Sequence, residues 1–219
     1  MPEFHGHVLV LGANGETGKQ VLTALQQKAI PTRALVRTAA KAQTLPETEA
    51  DIVIGEVDSE TLSHALAGVS AVISTIGTRT FTDLQAIKDT EYTAIVTAID
   101  AAKEAGVKHF VLCSSMGTSN PESIPPLTII LKIKARAEKY LQESGLGYTI
   151  VHPGGLRNEP GGQAILVAPH PLQGNGMITR ADVAEVLVQA LLQPAARGKS
   201  VDIVERPEQG SANRQDLFS

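Results

Sequence analysis

The sequence predicts an α/β fold in which helices cover both faces of a mostly parallel sheet. Short aliphatic runs alternate with longer stretches of helical periodicity along the 219 residues, the pattern of βαβ units. The runs are apolar almost throughout rather than alternating, as strands buried on both faces must be. A glycine-rich turn, GANGETG, joins the first run to the first helical stretch.

The first strand is read at His7–Leu11 and its helix at Gly15–Lys28. Strands follow at Thr32–Val36 and Asp51–Ile54, then a helix at Ser59–Leu66. The fourth strand, Ala71–Ser74, precedes a helix at Asp89–Ala105, and the fifth, His109–Cys113, precedes one at Leu127–Ser144. In that helix Lys134, Glu138 and Leu141 recur at helical spacing, and Ser144-Gly145 supplies the stop. After the sixth strand, Tyr148–Val151, residues 153–177 hold many glycines and prolines with little periodicity. Long loops in compact domains are usually functional or disordered. We read 153–180 as an irregular excursion, a small substrate lobe that forms a wall or lid. Thr179-Arg180-Ala181-Asp182 then offers an N-cap region for a helix at Arg180–Leu192, and Ser200–Val204 is the last strand. The length suits a single domain spanning 1–219.

Composition sets limits. Hydrophobic residues make up 42% and charged residues 19%, ordinary for a globular protein. A net charge of -4 with no basic stripe argues against nucleic acid as a partner, because phosphate neutralisation needs a Lys/Arg surplus on some face. The single cysteine, Cys113, excludes an intramolecular disulfide and fits a reducing compartment. The opening residues Met1–Gly6 lack the basic region of a signal peptide, and no apolar run approaches the roughly 20 residues of a membrane span. A cytoplasmic protein is expected. Nothing demands an oligomer, so a monomer is expected too. His5 and His7 alternate near the N-terminus, but no Cys, His and carboxylate cluster has metal-site spacing, and no metal is expected.

Gly12, Gly15 and Gly18 fall between a strand and a helix, the context of a dinucleotide fingerprint. The first glycine permits the tight turn, the second lets a pyrophosphate approach the backbone, and the third lets helix and strand pack closely. The helix N-terminus then offers N–H donors and partial positive charge to phosphates. A P-loop is excluded, since it would need glycine at Ala13 and Ser or Thr at Gln20. In an NAD site an acid ends the second strand and binds the ribose hydroxyls. Here Arg37 takes that place with Lys41 one helical turn on, and no carboxylate lies between Glu16 and Glu47. A guanidinium suits a 2′-phosphate, so NADP is the expected cofactor. At the end of the third strand Glu56, beside Val57, is placed to accept the adenine amino group. Small residues after the fourth strand (Thr75, Gly77, Thr78) leave room for ribose and phosphates.

The segments GANGETG, ALVRTAAK, VISTIGT, GVKHFVLCSSMGTSNP, KARAEKYLQESGLGYTIVHPGGL and TRADVAEVLVQALL occur in that order. Together they resemble the atypical short-chain dehydrogenase/reductase superfamily, in particular the NAD(P)-binding, NmrA-like group that includes biliverdin-IXβ (flavin) reductase and its plant and cyanobacterial relatives. The resemblance runs from His7 to about Val204 and implies a doubly wound Rossmann fold. It implies that Gly12, Asn14, Gly15, Thr17, Gly18, Arg37, Glu56, Thr75, Gly77 and Thr78 line the cofactor; Glu16, Lys41 and Val57, beside them, are read as cofactor contacts too. It also places Ser114, Lys134 and the Pro153-Gly154-Gly155 turn around the nicotinamide. Glu56 stands where relatives usually carry Asp.

Short-chain dehydrogenases carry Tyr and Lys as YxxxK. None of the three tyrosines fits, and Ile130 stands four residues before Lys134. Reducing a ketone concentrates negative charge on one oxygen and calls for a positioned donor. An isoalloxazine or linear tetrapyrrole spreads that charge, so the missing phenol leaves a flavin or bilin reductase possible. Ser114 and Lys134 are the candidate catalytic residues. His152, beside Pro153, is read first as a core histidine and alternatively as a proton donor. Cys113 is read as a small packing group, and Arg79 as a surface arginine or an anion contact. Two functions therefore stand: an NADPH-dependent reductase of a conjugated acceptor, or a non-catalytic NADP(H)-sensing regulator or assembly factor.

Overall fold

The computed structural model describes residues 6–219; the reading of Met1–His5, His5 included, lies outside the described residues. In chain order the elements are β1 (His7–Leu11), α1 (Glu16–Gln27), β2 (Thr32–Val36), α2 (Ala39–Ala42), β3 (Asp51–Ile54), α3 (Ser59–Ala65) and β4 (Val69–Ser74). There follow α4 (Leu84–Lys88), α5 (Ala94–Glu104), β5 (His109–Cys113), α6 (Thr128–Glu143), β6 (Tyr148–Pro153) and β7 (Gly155–Arg157). The chain closes with β8 (Ile165–Pro169), β9 (Met177–Thr179), α7 (Arg180–Leu192) and β10 (Lys199–Glu205).

The main sheet has the order β3-β2-β1-β4-β5-β6-β10-β8. Its first six strands reproduce the 3-2-1-4-5-6 order of doubly wound dinucleotide-binding sheets. All neighbours run parallel except β8, which is antiparallel to β10. Strand β1 shows how the sequence builds two layers. Its side chains alternate across the sheet, so Val8 and Val10 join Val21, Leu25, Val183 and Leu187 under α1 and α7. Leu9 and Leu11 join Leu62, Ile99, Phe110 and Leu141 under α3, α5 and α6. Helix α7 is apolar over most of its circumference because it lies almost wholly inside, as such helices do. Strand order reverses between β1 and β4, and this opens a crevice at their carboxyl ends.

Two expectations need correction. The 153–180 stretch is not irregular throughout: β7 and β9 pair as a parallel ribbon, and β8 extends the main sheet. Strand β8 is short, Gly/Pro-flanked and paired to a distant segment, so local periodicity carries no trace of it. The buried Asp182 carboxylate pins this lobe, accepting from the Gly162 N–H at 2.8 Å and pairing with Arg214 at 2.8 Å. The predicted Asp89–Ala105 helix is continuous with α4 and opens on a π-helical turn at Asp89–Thr93. Such turns often sit at functional sites.

His109 carries the clearest pH linkage. It is buried, with Nε2 2.9 Å from the Thr149 hydroxyl, which itself donates to the Ala196 carbonyl. Burial, with the nearby Arg197 charge, pushes its pKa down from 6.5 to about 4. Between those values the unfolded chain binds a proton that the folded chain refuses, so stability falls as pH drops. The loss attributable to this residue is on the order of 3 kcal/mol from pH 7 to pH 4. Denaturant titrations of wild type and His109→Gln at both pH values test this: the substitution should remove that share of the acid sensitivity.

Candidate active site

The crevice is a cleft of about 640 Å³ along the carboxyl ends of β1 to β4, within the range of ligand sites. On β1 the chain turns at Gly12, whose φ is +75°, a conformation glycine adopts without strain. The turn closes through the Gly15 N–H to the Gly12 carbonyl at 2.9 Å. Gly15 then caps α1 with no side-chain hydrogen bond, leaving first-turn N–H groups for a ligand. Thr75 ties β4 to this turn: its N–H reaches the Leu11 carbonyl at 2.9 Å and its hydroxyl the same oxygen at 3.0 Å.

Arg37 leaves the end of β2 exposed in the cleft wall. Thr38 caps α2 by accepting from the Lys41 N–H at 3.3 Å, which sets Lys41 on the same wall. Glu56 and Val57 line it after β3, and Gly77 and Thr78 after β4. The structure thus brings Gly12, Asn14, Gly15, Arg37, Lys41, Glu56, Val57, Thr75, Gly77 and Thr78 onto one cleft. Glu16, Thr17 and Gly18 are not among its lining residues. Gly18 packs α1 on the turn, where a Cβ would run into the Gly12 carbonyl and lie 2.9 Å from Ala13 Cα. Nor do Pro153, Gly154 and Gly155 line the cleft. The Gly154 N–H bonds the Ile203 carbonyl at 3.0 Å, and a Cβ there would meet the Gly176 backbone. Those glycines seat the small ribbon against β10.

The opposite wall includes Arg79, Thr80, Ala86, Asp89, Thr90 and Thr93. Sequence reasoning raised Arg79 alone among these, because the segment before α4 has no periodicity to anchor it. It also missed Glu91, in the π-helical turn. This side chain is 3% exposed; one oxygen accepts the Thr78 N–H at 2.6 Å and the other lies 2.7 Å from Lys134 Nζ. Lys134 is therefore held by a carboxylate at the cleft's inner end. No local spacing announces this pair.

Lys134, Ser114, Glu91, Cys113 and Ile76 line a small hollow of about 10 Å³, room for one water, and Ile76 also lines the cleft. Burial pushes the Cys113 thiol up to about 11, so it stays protonated at neutral pH. The Ser114 hydroxyl donates to Glu138. Burial alone would raise the Glu138 carboxyl, yet His152, with Ser114 and Thr118 close by, holds it below its ordinary value. Ile130 is buried where a tyrosine would stand.

His152 is fully buried, with Nδ1 3.1 Å from the Val201 carbonyl. Its ring stacks on His170 at 3.9 Å and 9°. Hydrogen bonding to Asp202 raises the His170 pKa against the opposing effect of burial. His152, His170 and Asp202 gather their donor atoms within 4.8 Å, a cluster that the absence of local metal spacing did not foreshadow. Of these groups, His170 Nδ1 already faces the Asp202 carboxylate at 3.0 Å.

The fold and the glycine turn define a dinucleotide-binding α/β protein. A family described as NAD(P)H-binding matches residues 12–194, and the chain belongs to it. Among relatives, a chloroplastic protein of Arabidopsis thaliana is 34% identical over 97% of this chain and 81% of its own. Sanguinarine reductase of Eschscholzia californica is 33% identical over 92% of this chain and 89% of its own. Among solved structures, a protein of Bacillus halodurans assigned as an NAD-dependent epimerase/dehydratase superimposes with a TM-score of 0.89, at 30% identity over 98% of this chain and 99% of that one. An anaerobilin reductase of Escherichia coli O157:H7 gives 0.78, at 26% identity over 91% and 97%. Among the described residues no helix is long and apolar enough to cross a membrane. The chloroplastic relative lends no support to the cytoplasmic placement expected above.

Proposed function

We propose that the protein is an NADPH-dependent reductase that delivers hydride to an extended conjugated acceptor of the flavin or bilin type, acting as a single-domain monomer. The observation that carries this reading is a run of two adjoining spaces, cleft and hollow, with Ile76 common to both. It begins at the exposed cations Arg37 and Lys41, passes the glycine turn and α1 N-terminus, and ends at the hollow of Ser114 and Lys134. The first end suits a 2′-phosphate, the middle a pyrophosphate, and the inner end a nicotinamide. Bound there, the dinucleotide supplies the hydride. The protein's part is to hold it: Glu91 fixes the Thr78 backbone and Lys134 together, and Ser114 offers a hydroxyl at the reacting end. With no phenol beside Lys134, an acceptor that delocalises charge fits best. A sanguinarine reductase among the relatives and an anaerobilin reductase among the similar structures support a reductase reading.

NADPH oxidation by the purified protein, with FMN, FAD and biliverdin offered separately, tests this. Acceptor-dependent oxidation, lost in Arg37→Glu and weak with NADH, is the expected result. Tight NADPH binding without turnover on any acceptor would favour the second reading, an NADP(H)-sensing regulator or assembly factor. One observation supports that reading: Lys134 and Ser114 both already have carboxylate partners, Glu91 and Glu138.

A further inference from the structure

Behind the hollow, between α6 and β6, lies a group of titratable side chains that hydride delivery leaves unused. Glu138 is 8% exposed. Its Oε1 accepts from the Ser114 hydroxyl and lies 3.2 Å from Nε2 of His152. His152 Nδ1 faces the Val201 carbonyl at 3.1 Å. A carbonyl only accepts, so Nδ1 carries a proton. Nε2 then faces a carboxylate oxygen in the buried interior, close but without hydrogen-bond alignment. Two bare acceptors at that distance repel, so the pair shares one proton.

The surroundings isolate this pair. On its own helix, one turn before, Lys134 is engaged by Glu91 at 2.7 Å. From the β8 side His170 stacks on His152 at 3.9 Å, and from β10 Asp202 holds His170 Nδ1 at 3.0 Å. A ring stack has no hydrogen bond through which a proton can pass, so the unit reaching Ser114 is Glu138 with His152. Such a pair has little value as a stabiliser, because a buried ion pair is often no better than packed apolar side chains. Among the described residues, the Ser114 hydroxyl links the pair to the hollow at the cleft's inner end.

We propose that Glu138 and His152 are positioning residues that store a proton and pass it through Ser114 to the reduced acceptor. This rests on the reductase reading above and names the proton source for that same site. Hydride carries two electrons to the acceptor, which is thereby reduced and gains one negative charge. The Ser114 O–H bond then breaks as a new bond to hydrogen forms on an acceptor heteroatom. Ser114 regains its proton from the pair, whose net charge drops by one. Water entering the hollow after product leaves gives the pair a proton, and the hydroxide formed returns to solvent.

The test joins a spectroscopic readout on the unliganded protein to a kinetic one. Ring-nitrogen NMR of the histidines should show the His152 Nε2 resonance move in Glu138→Gln, which removes the carboxylate partner. With NADPH and a working acceptor, Glu138→Gln should lower kcat by about 10²-fold, a typical share for a positioned proton donor, with KM values little changed. Wild-type kcat should fall as pH rises through the pair's deprotonation, that limb should vanish in the variant, and Glu138→Asp should restore part of the rate. If Glu138→Gln does not fold, His152→Gln carries the same comparison. A folded variant with wild-type kcat and pH profile would overturn the relay and leave the reductase standing. Absence of turnover by wild type on every acceptor would overturn both, and is told apart because it needs no variant.

Discussion

Arg37→Glu is expected to weaken NADPH binding by about 10²–10³-fold, the equivalent of roughly 3–4 kcal/mol, while leaving NADH affinity essentially unchanged. The residue stands exposed at the carboxyl end of β2 and lines the cleft. Hydrogen bonds between a guanidinium and a phosphate contribute about 1.5–3 kcal/mol each. Glutamate removes them and adds a negative charge facing the phosphate, whereas the ribose hydroxyls of NADH would find in it an acceptor. Lys41→Ala should do less, about tenfold, because an ammonium is a point charge without the bidentate fork. Calorimetric titration of both cofactors into wild type and the two variants checks this. Equal NADPH affinity in wild type and Arg37→Glu would place the 2′-phosphate elsewhere.

Gly12→Ala is expected to damage the fold and the site together. The residue combines φ +75° with backbone atoms of Thr75 and Ile76 at 2.8 Å from any Cβ. Backbone strain of about 1–3 kcal/mol would add to overpacking of about 1–3 kcal/mol. Neither can relax easily, since the opposing atoms belong to the end of β4. Thermal denaturation should show Tm lowered by roughly 5–15 °C for a chain of this size, with NADPH binding lost. Gly15→Ala separates the two effects. Its Cβ would have only the Gly12 carbonyl within reach, at 3.2 Å, so Tm should fall far less than in Gly12→Ala while the new methyl group crowds the pyrophosphate and lowers affinity. A Gly12→Ala protein as stable as wild type would refute this account of the turn.

The contrast between these glycines shows what the sequence discloses. The βαβ rhythm, the glycine turn and the basic residues after β2 are local patterns, and each marks a place where backbone geometry or charge must be of one kind. The strand order beyond β6 is different. Strand β8 finds its partner in β10, and the ribbon of β7 and β9 depends on Gly154 and Gly155 packing closely on neighbours near Gly176 and Val204. A Gly/Pro-rich stretch reads as loop whether or not such partners exist. The same holds for the inner site. Lys134 was legible as a family lysine, but Glu91, Glu138 and Asp202 each meet their partners through tertiary folding, and acids on helices and strands carry no sign of it beforehand. His152 was legible as buried. Its stacking on His170 was not, since that contact joins β6 to the turn after β8.

The central claim is that the cleft serves hydride transfer and not cofactor binding alone. NADPH carrying deuterium at C4 on one face or the other, incubated anaerobically with the protein and the accepted flavin or bilin, tests it most directly. The account predicts that mass spectrometry of the oxidised cofactor finds deuterium kept from one isomer and lost from the other, because a cleft that fixes the dinucleotide presents a single face. Cofactor that binds yet is consumed no faster than in protein-free solution, or that loses deuterium equally from both isomers, would contradict it.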